Sequence, residues 1–248
     1  MDGAFVVDKP AGVTSAVVVA RVKAALRLEH AGHTGTLDPM ATGVLPICSG
    51  RATRLIDHLV AVDKEYCAEV RFGITTDSYD VEGNVVAEVA DPPAHNRAQI
   101  EAALVAFRGP IMQRAPVYSA IKQNGRRLHR MARQGLEVTP PIRPVEVFRF
   151  ELTKLSWPRA EFSIHCSKGT YVRSLAHDLG QALGVGAHLS SLRRTRVGQF
   201  SLTDAQPLAD VERRRAPAWL PLTALLPYPV VELPARLREQ VRNGVRLR

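Results

Sequence analysis

Asp38 is a carboxylate whose direction the sequence constrains. It stands in Gly35-Thr36-Leu37-Asp38-Pro39, where the glycine permits a sharp turn and the proline restrains the backbone of the aspartate before it. Asp-Pro also opens turns that have no chemical duty, so both readings stand at this point. Ser167-Lys168-Gly169-Thr170-Tyr171-Val172-Arg173 puts a tyrosine and an arginine two positions apart at the opening of a helix. A guanidinium there can pair with a carboxylate from elsewhere and hold it ionised by lowering its pKa, or can face only Asp178 or solvent. Tyr66 is by type either a core aromatic or a platform for a stacked base. His30 and His33 have the chemistry of metal ligands, but no third ligand accompanies them, so no metal is expected. Cys48, Cys67 and Cys166 are odd in number and show no C-x-x-C spacing, which supports neither a zinc knuckle nor a disulfide framework. Gly-x-Gly-x-x-Gly and Gly-x4-Gly-Lys-Ser/Thr are both absent, and with them the usual sequence argument for a dinucleotide or a nucleoside triphosphate.

The 248 residues, 46% hydrophobic and 23% charged, are ordinary for a globular chain with a sizeable core. The most apolar stretch, 216–231, is interrupted by Pro217, Pro221, Pro227 and Pro229 and is no membrane span. Asp2, Asp8 and Lys9 break any signal-peptide pattern at the N-terminus, so a cytoplasmic protein is expected. The charge is more telling: 33 Lys plus Arg against 24 Asp plus Glu give +9. Between Arg108 and Arg143 lie eight basic residues against Glu137 alone, the footprint of a phosphate-binding segment.

Elements must hold these residues in place. Phe5-Val6-Val7 reads as a short buried strand, ending at the turn Asp8-Lys9-Pro10-Ala11-Gly12. Thr14 or Ser15 can cap a helix to about Leu28, with Val18, Val22 and Leu26 as its apolar stripe. The glycine-rich stretch 32–50 is expected to be a loop that leads into a strand near Val44 to Ile47. Tyr66, Ala68, Val70 and Phe72 alternate with Cys67, Glu69 and Arg71 as in a half-buried strand, and Val85 to Val89 is expected to pair with it. Asn96 can cap a helix whose Ile100, Leu104 and Phe107 share a face. Strands are expected at 144–155, 160–166 and near Val197 to Leu202, and a helix along Leu175, Leu179 and Leu183. Mixed elements without a βαβ period point to an α+β fold with a mostly antiparallel sheet.

Taken in order, the motifs resemble the TruB family of tRNA pseudouridine-55 synthases, relatives of the dyskerin enzymes. Asp8-Lys9-Pro10-x-Gly12-x-Thr14-Ser15 resembles the family's first motif. Gly32-His33-Thr34-Gly35-Thr36-Leu37-Asp38-Pro39-Met40-Ala41-Thr42-Gly43 resembles the second, which carries the catalytic aspartate. Lys64-Glu65-Tyr66, Ala115-Pro116-Val117-Tyr118-Ser119-Ala120, Lys168-Gly169-Thr170-Tyr171-Val172-Arg173 and His188-Leu189-Ser190-Ser191-Leu192-Arg193-Arg194 follow in the family's order.

The resemblance implies the pseudouridine synthase fold, a mixed and mostly antiparallel central sheet flanked by helices and loops around a cleft. It implies isomerisation of uridine 55 in the T-loop of tRNA with no cofactor and no metal, and nothing demands more than a monomer. Asp38 would be the nucleophile or the initiating base and Arg173 its partner. Tyr66 would stack on the uracil and stand near C5. His33 would fill the space left by the flipped base, Tyr171 and Leu192 would contact aspartate and uracil, and Lys9 and Pro10 would support the pocket from behind. Lys122, Arg126, Arg127 and Arg130 would grip phosphates from an insertion at about 108–143. Residues 1–228 would form the catalytic domain, and 229–248 resemble the opening of a PUA-like RNA-binding domain. A non-catalytic tRNA binder would have lost the aspartate or the arginine, and both are present. A glycosidase would need a second catalytic carboxylate, for which no motif stands near Asp38.

Overall fold

Three consecutive apolar residues in the first strand require cover on both faces, and the computed structural model provides it. It describes residues 1–119, 121–123, 125–213, 217–226 and 228–245, without the side chains of 122, 127, 129 and 133. In β1 (Gly3–Lys9), Phe5 and Val7 pack with Val18 and Val22, while Ala4 and Val6 join a second cluster with Val44 and Cys48. Helix α1 (Ser15–Leu26) starts where Thr14 Oγ1 accepts a hydrogen bond from Val17 N at 3.2 Å. Strands β2 (Ala31–His33) and β3 (Thr42–Ser49) pair with each other, so the strand expected at 44–47 is longer and has a partner hidden in the glycine-rich stretch.

After α2 (Ile56–Val60) comes β4 (Lys64–Phe72), which buries Tyr66, Ala68, Val70 and Phe72 as their alternation predicts. Strands β5 (Ile74–Thr76) and β6 (Val85–Glu88) form a small sheet of their own. The expected pairing of 85–89 with β4 therefore does not occur: Gly73, at φ +87°, turns the chain away, and Val85 and Val86 stay exposed. Helix α3 (Arg97–Leu104) opens on a capping box between Asn96 and Gln99. Strand β7 (Gly109–Arg114) already belongs to the main sheet, so the basic excursion out of it spans 115–141. That excursion holds β8 (Lys122–Gln123), β9 (Arg126–Arg127) and α4 (Leu128–Arg133).

The long hairpin of β10 (Ile142–Ser156) and β11 (Arg159–Cys166) leads to α5 (Val172–Ala182) and β12 (Ala187–Val197). The single strand expected at 197–202 is instead the end of β12, a turn at Gly198, and β13 (Phe200–Ser201). β14 (Ala205–Pro207), α6 (Leu208–Glu212) and α7 (Ala235–Arg242) complete the chain.

Among the described residues the main sheet runs β14-β1-β3-β12-β4-β11-β10-β7, with β2 beside β3 and β13 beside β12. Among the strand pairs of the described residues only β1/β14 and β3/β12 are parallel, so the fold is α+β with a mixed, mostly antiparallel sheet. Phe150, Phe162, Ile164 and Leu192 meet α3 and α5 in the largest core cluster. Among the described residues no helix is long and apolar enough to cross a membrane.

The parallel seam between β3 and β12 sets a strict demand at one glycine. Gly43 has φ +103°, and a Cβ there would lie 2.2 Å from the carbonyl oxygen of Arg194. Replacing Gly43 by alanine is expected to cost on the order of 3 kcal/mol or more through combined backbone strain and overlap. Gly12→Ala, at φ +80° with open space around it, loses only the backbone part, about 1 kcal/mol. Urea denaturation midpoints of the two variants measure the difference.

Candidate active site

The loop between β2 and β3 carries Asp38 and is fastened along its length. Ser15 Oγ donates to Leu37 O at 3.1 Å and accepts from Leu37 N at 2.9 Å. Lys9 Nζ donates to Pro10 O, Pro39 O and Ala41 O at 2.9, 3.1 and 2.6 Å. Gly12 N reaches Pro39 O, and Ala41 N closes a turn on Asp38 O. Leu37 points into the core, which leaves the Asp38 carboxylate facing a cleft of about 1100 Å³. Lys9 is thus fully buried behind the loop with all three donors used, and burial pulls it down to about 8. Pro10 is exposed on the outer side and meets the site only through its carbonyl.

Arg173, in the first turn of α5, is 5% exposed. Its Nε lies 2.9 Å from Asp38 Oδ2, and its Nη2 donates to Asp38 Oδ1 at 3.3 Å. The remaining edge of the guanidinium meets Asp80 Oδ2 at 3.4 Å, Ser78 O at 3.0 Å and Tyr118 O at 3.0 Å. Asp80 is itself held by Ser78 Oγ at 2.6 Å and by Glu82 N at 3.0 Å. Burial lifts the Asp38 carboxyl above its ordinary 3.8; Arg173 pulls it down and Asp80 pushes it further up. The lowering expected from the arginine is therefore present but outweighed by desolvation.

Tyr66 forms part of the cleft wall at 7% exposure, and burial pushes its phenol up to about 12 against the opposing charge of Arg194. His33 is half-buried with Nδ1 accepting from Gly35 N at 3.3 Å, and burial, then Arg194, lowers its pKa. It is a neutral ring at the rim. Tyr171 is held through its backbone by Gln113, which accepts from Tyr171 N at 2.8 Å and donates to Tyr171 O at 3.0 Å. Burial raises its phenol, and Ser119 opposes that by a hydrogen bond. Leu192, 6% exposed on β12, completes the apolar wall.

His33, Asp38, Tyr66, Tyr171, Arg173 and Leu192 thus meet in one cleft. Arg126 and Arg130 do not line it: the excursion that carries them leaves from its edge at Tyr118 and Ser119, and both are exposed. The side chains of Lys122 and Arg127 lie outside the described residues. Three cleft residues escaped the sequence reading. Asp80 sits in a turn with no motif around it. Lys64 was visible only as the neighbour of Tyr66, yet it is buried and pulled down to about 8 by desolvation. Arg194 read as half of a basic pair; a period of two along β12 would have separated it, 1% exposed, from Arg193, which pairs outward with Asp8 at 2.7 Å.

Residues 23–172 match the N-terminal domain of the TruB family of pseudouridylate synthases, and 173–218 match the C-terminal domain of tRNA pseudouridylate synthase B. The chain is 46% identical over 218 residues to a tRNA pseudouridine synthase B of Chromobacterium violaceum, covering 88% of this chain and 71% of that protein. It is 47% identical over 248 residues to a protein of the same name from Symbiobacterium thermophilum, covering 99% of this chain and 83% of that protein. Among solved structures it is similar to a chain of a Cbf5-Nop10-Gar1 complex, with TM-score 0.67 and 34% identity over 85% of this chain, while spanning 54% of that chain. The match to the family along this much of its length places the chain in the TruB family of pseudouridylate synthases, which are isomerases.

Proposed function

We propose that this chain converts uridine 55 in the T-loop of tRNA to pseudouridine, acting as a monomer in the cytoplasm. The observation that carries the reading is the side-on Arg173–Asp38 pair facing the cleft, in a chain whose relatives are named tRNA pseudouridine synthases. Uridine and pseudouridine have the same atoms. The N1–C1′ bond breaks, the base turns, the C5–C1′ bond forms, C5 gives up a proton and N1 gains one. Attack by Asp38 on C1′, attack on C6, and proton abstraction leading to a glycal all start from the same ionised carboxylate.

A T-loop uridine is stacked inside folded RNA and must be flipped out at a cost of about a few kcal/mol. Stacking on Tyr66, worth roughly 1–3 kcal/mol, offsets much of that, and Leu192 bounds the other side of the base. The neutral His33 ring occupies the vacated space. Tyr171 flanks the aspartate, and Lys9, backed by the Pro10 carbonyl, keeps the loop from shifting when the base enters. Lys122, Arg126, Arg127 and Arg130 take phosphates on the excursion, a sequence-independent grip. The catalytic unit in this reading is residues 1–228.

The test is tritium release from a tRNA transcript labelled at uridine C5. Wild type is expected to release label and leave pseudouridine at position 55, and Asp38→Asn to bind the same tRNA without release. Product at another position would overturn the assignment to uridine 55; absence of release with binding intact would overturn the enzymatic reading.

The same variant reports on electrostatics. Because the folded-state pKa of Asp38 lies above its ordinary 3.8, the folded state favours the protonated carboxyl. The associated stability is present below 3.8 and is lost as pH rises through the raised folded value. Asp38→Asn is therefore expected to leave the melting temperature unchanged in acid and to raise it at neutral pH. Thermal denaturation across pH checks this.

A further inference from the structure

Arg194 is among the largest side chains that the fold buries completely, and the reaction as described so far gives it no part. Its Nε donates to Val44 O at 2.8 Å, Nη2 to Gly35 O at 3.0 Å and Nη1 to Thr36 O at 3.4 Å. It also hydrogen-bonds the Tyr66 hydroxyl. Among the described residues no carboxylate pairs with it at ion-pair distance, and Asp38 acts on it only through its field. A buried cation satisfied by carbonyls and one phenol is costly to keep. A core position needs no such group, whereas a cleft wall shared with Tyr66 and Leu192 can use one.

Guanidinium groups only donate hydrogen bonds, so the Tyr66 oxygen is the acceptor, and negative charge that develops on it meets a fixed donor. We propose that Arg194 is a positioning residue for the second half of the isomerisation: it fixes the Tyr66 oxygen relative to the Asp38 loop and steadies the negative charge which that oxygen carries between losing its own proton and taking the one from C5. The phenol first gives its own proton to water in the open cleft; the C5–H bond then breaks, its electron pair restores the C5=C6 double bond and displaces the C6=N1 pair onto N1, which takes a proton, while the C5 proton goes to the phenolate oxygen. Two arginines then divide the work. Arg173 serves the carboxylate that opens the N1–C1′ bond, and Arg194 serves the phenol that completes the product. Burial alone keeps this phenol protonated, which is why a donor that favours the phenolate matters.

This inference rests on the isomerisation proposed above, and a kinetic isotope effect separates the failure of one from that of the other. Single-turnover rates are compared for tRNA carrying protium or deuterium at C5 of the target uridine, in wild type, Arg194→Lys and Tyr66→Phe. Lysine keeps the charge and loses the planar fork. The expected result is a rate about tenfold or more slower for Arg194→Lys, with tRNA affinity kept and a primary isotope effect larger than that of wild type, because proton removal has become rate-limiting. Tyr66→Phe should show the same enlarged effect, which keeps the test decisive if Arg194→Lys does not fold. A slower Arg194→Lys with a wild-type isotope effect would overturn the inference and leave Arg194 a structural residue; an unchanged effect in Tyr66→Phe would overturn it as well. No turnover by wild type would instead sink the isomerisation reading itself.

Discussion

Arg173 sits between two carboxylates and two carbonyls at 5% exposure, and a guanidinium so buried cannot be left without any carboxylate cheaply. Every element that supplies a partner is therefore held to it: the loop of Asp38, the turn of Ser78 and Asp80, and the rim at Tyr118. These come from three separate stretches of chain and converge on the first turn of α5. Two acids share one base, so the cluster carries an excess negative charge that burial makes unfavourable, consistent with the raised Asp38 carboxyl. In the proposed reaction, a reactive carboxylate placed there gives up some stability for chemistry.

The sheet explains how such a cluster is kept rigid. β1 ends at Lys9 beside the start of β3 at Gly43, and β12 runs parallel to β3 at the same level. Lys9 and Arg194, from the flanking strands, both reach the backbone of the Asp38 loop between them. The loop lacks regular structure but has few free backbone groups in its centre. Two buried cations and one serine meet much of its hydrogen-bonding need, and Gly12 N meets Pro39 O.

What was readable in the sequence follows from where apolar periodicity survives. β4 was legible from Tyr66 to Phe72 because it is half-buried and alternates, and α3 because Asn96 caps a helix with a consistent face. β12 was not, since Arg193, Arg194 and Arg196 fill positions that an ordinary core strand gives to apolar residues, and their partners lie far away in sequence. β2 was hidden for a related reason: three residues in a glycine-rich stretch carry no period. Asp38, Tyr66, Arg173, Tyr171 and Leu192 were located through ordered motifs. Their physical coupling depends on Asp80 and Arg194, which only the folded chain brings into contact.

The central claim is that Arg173 governs the ionisation of Asp38 against the burial that opposes it. It is tested most directly by the pH dependence of single-turnover pseudouridine formation in wild type and Arg173→Lys, each at saturating tRNA. The proposed reaction needs the carboxylate, so its rate is expected to fall as pH drops through the Asp38 pKa. Lysine cannot make the two-point contact of the guanidinium, and the acid limb is predicted to move to higher pH in the variant. Superimposable acid limbs, or a shift to lower pH, would contradict the account.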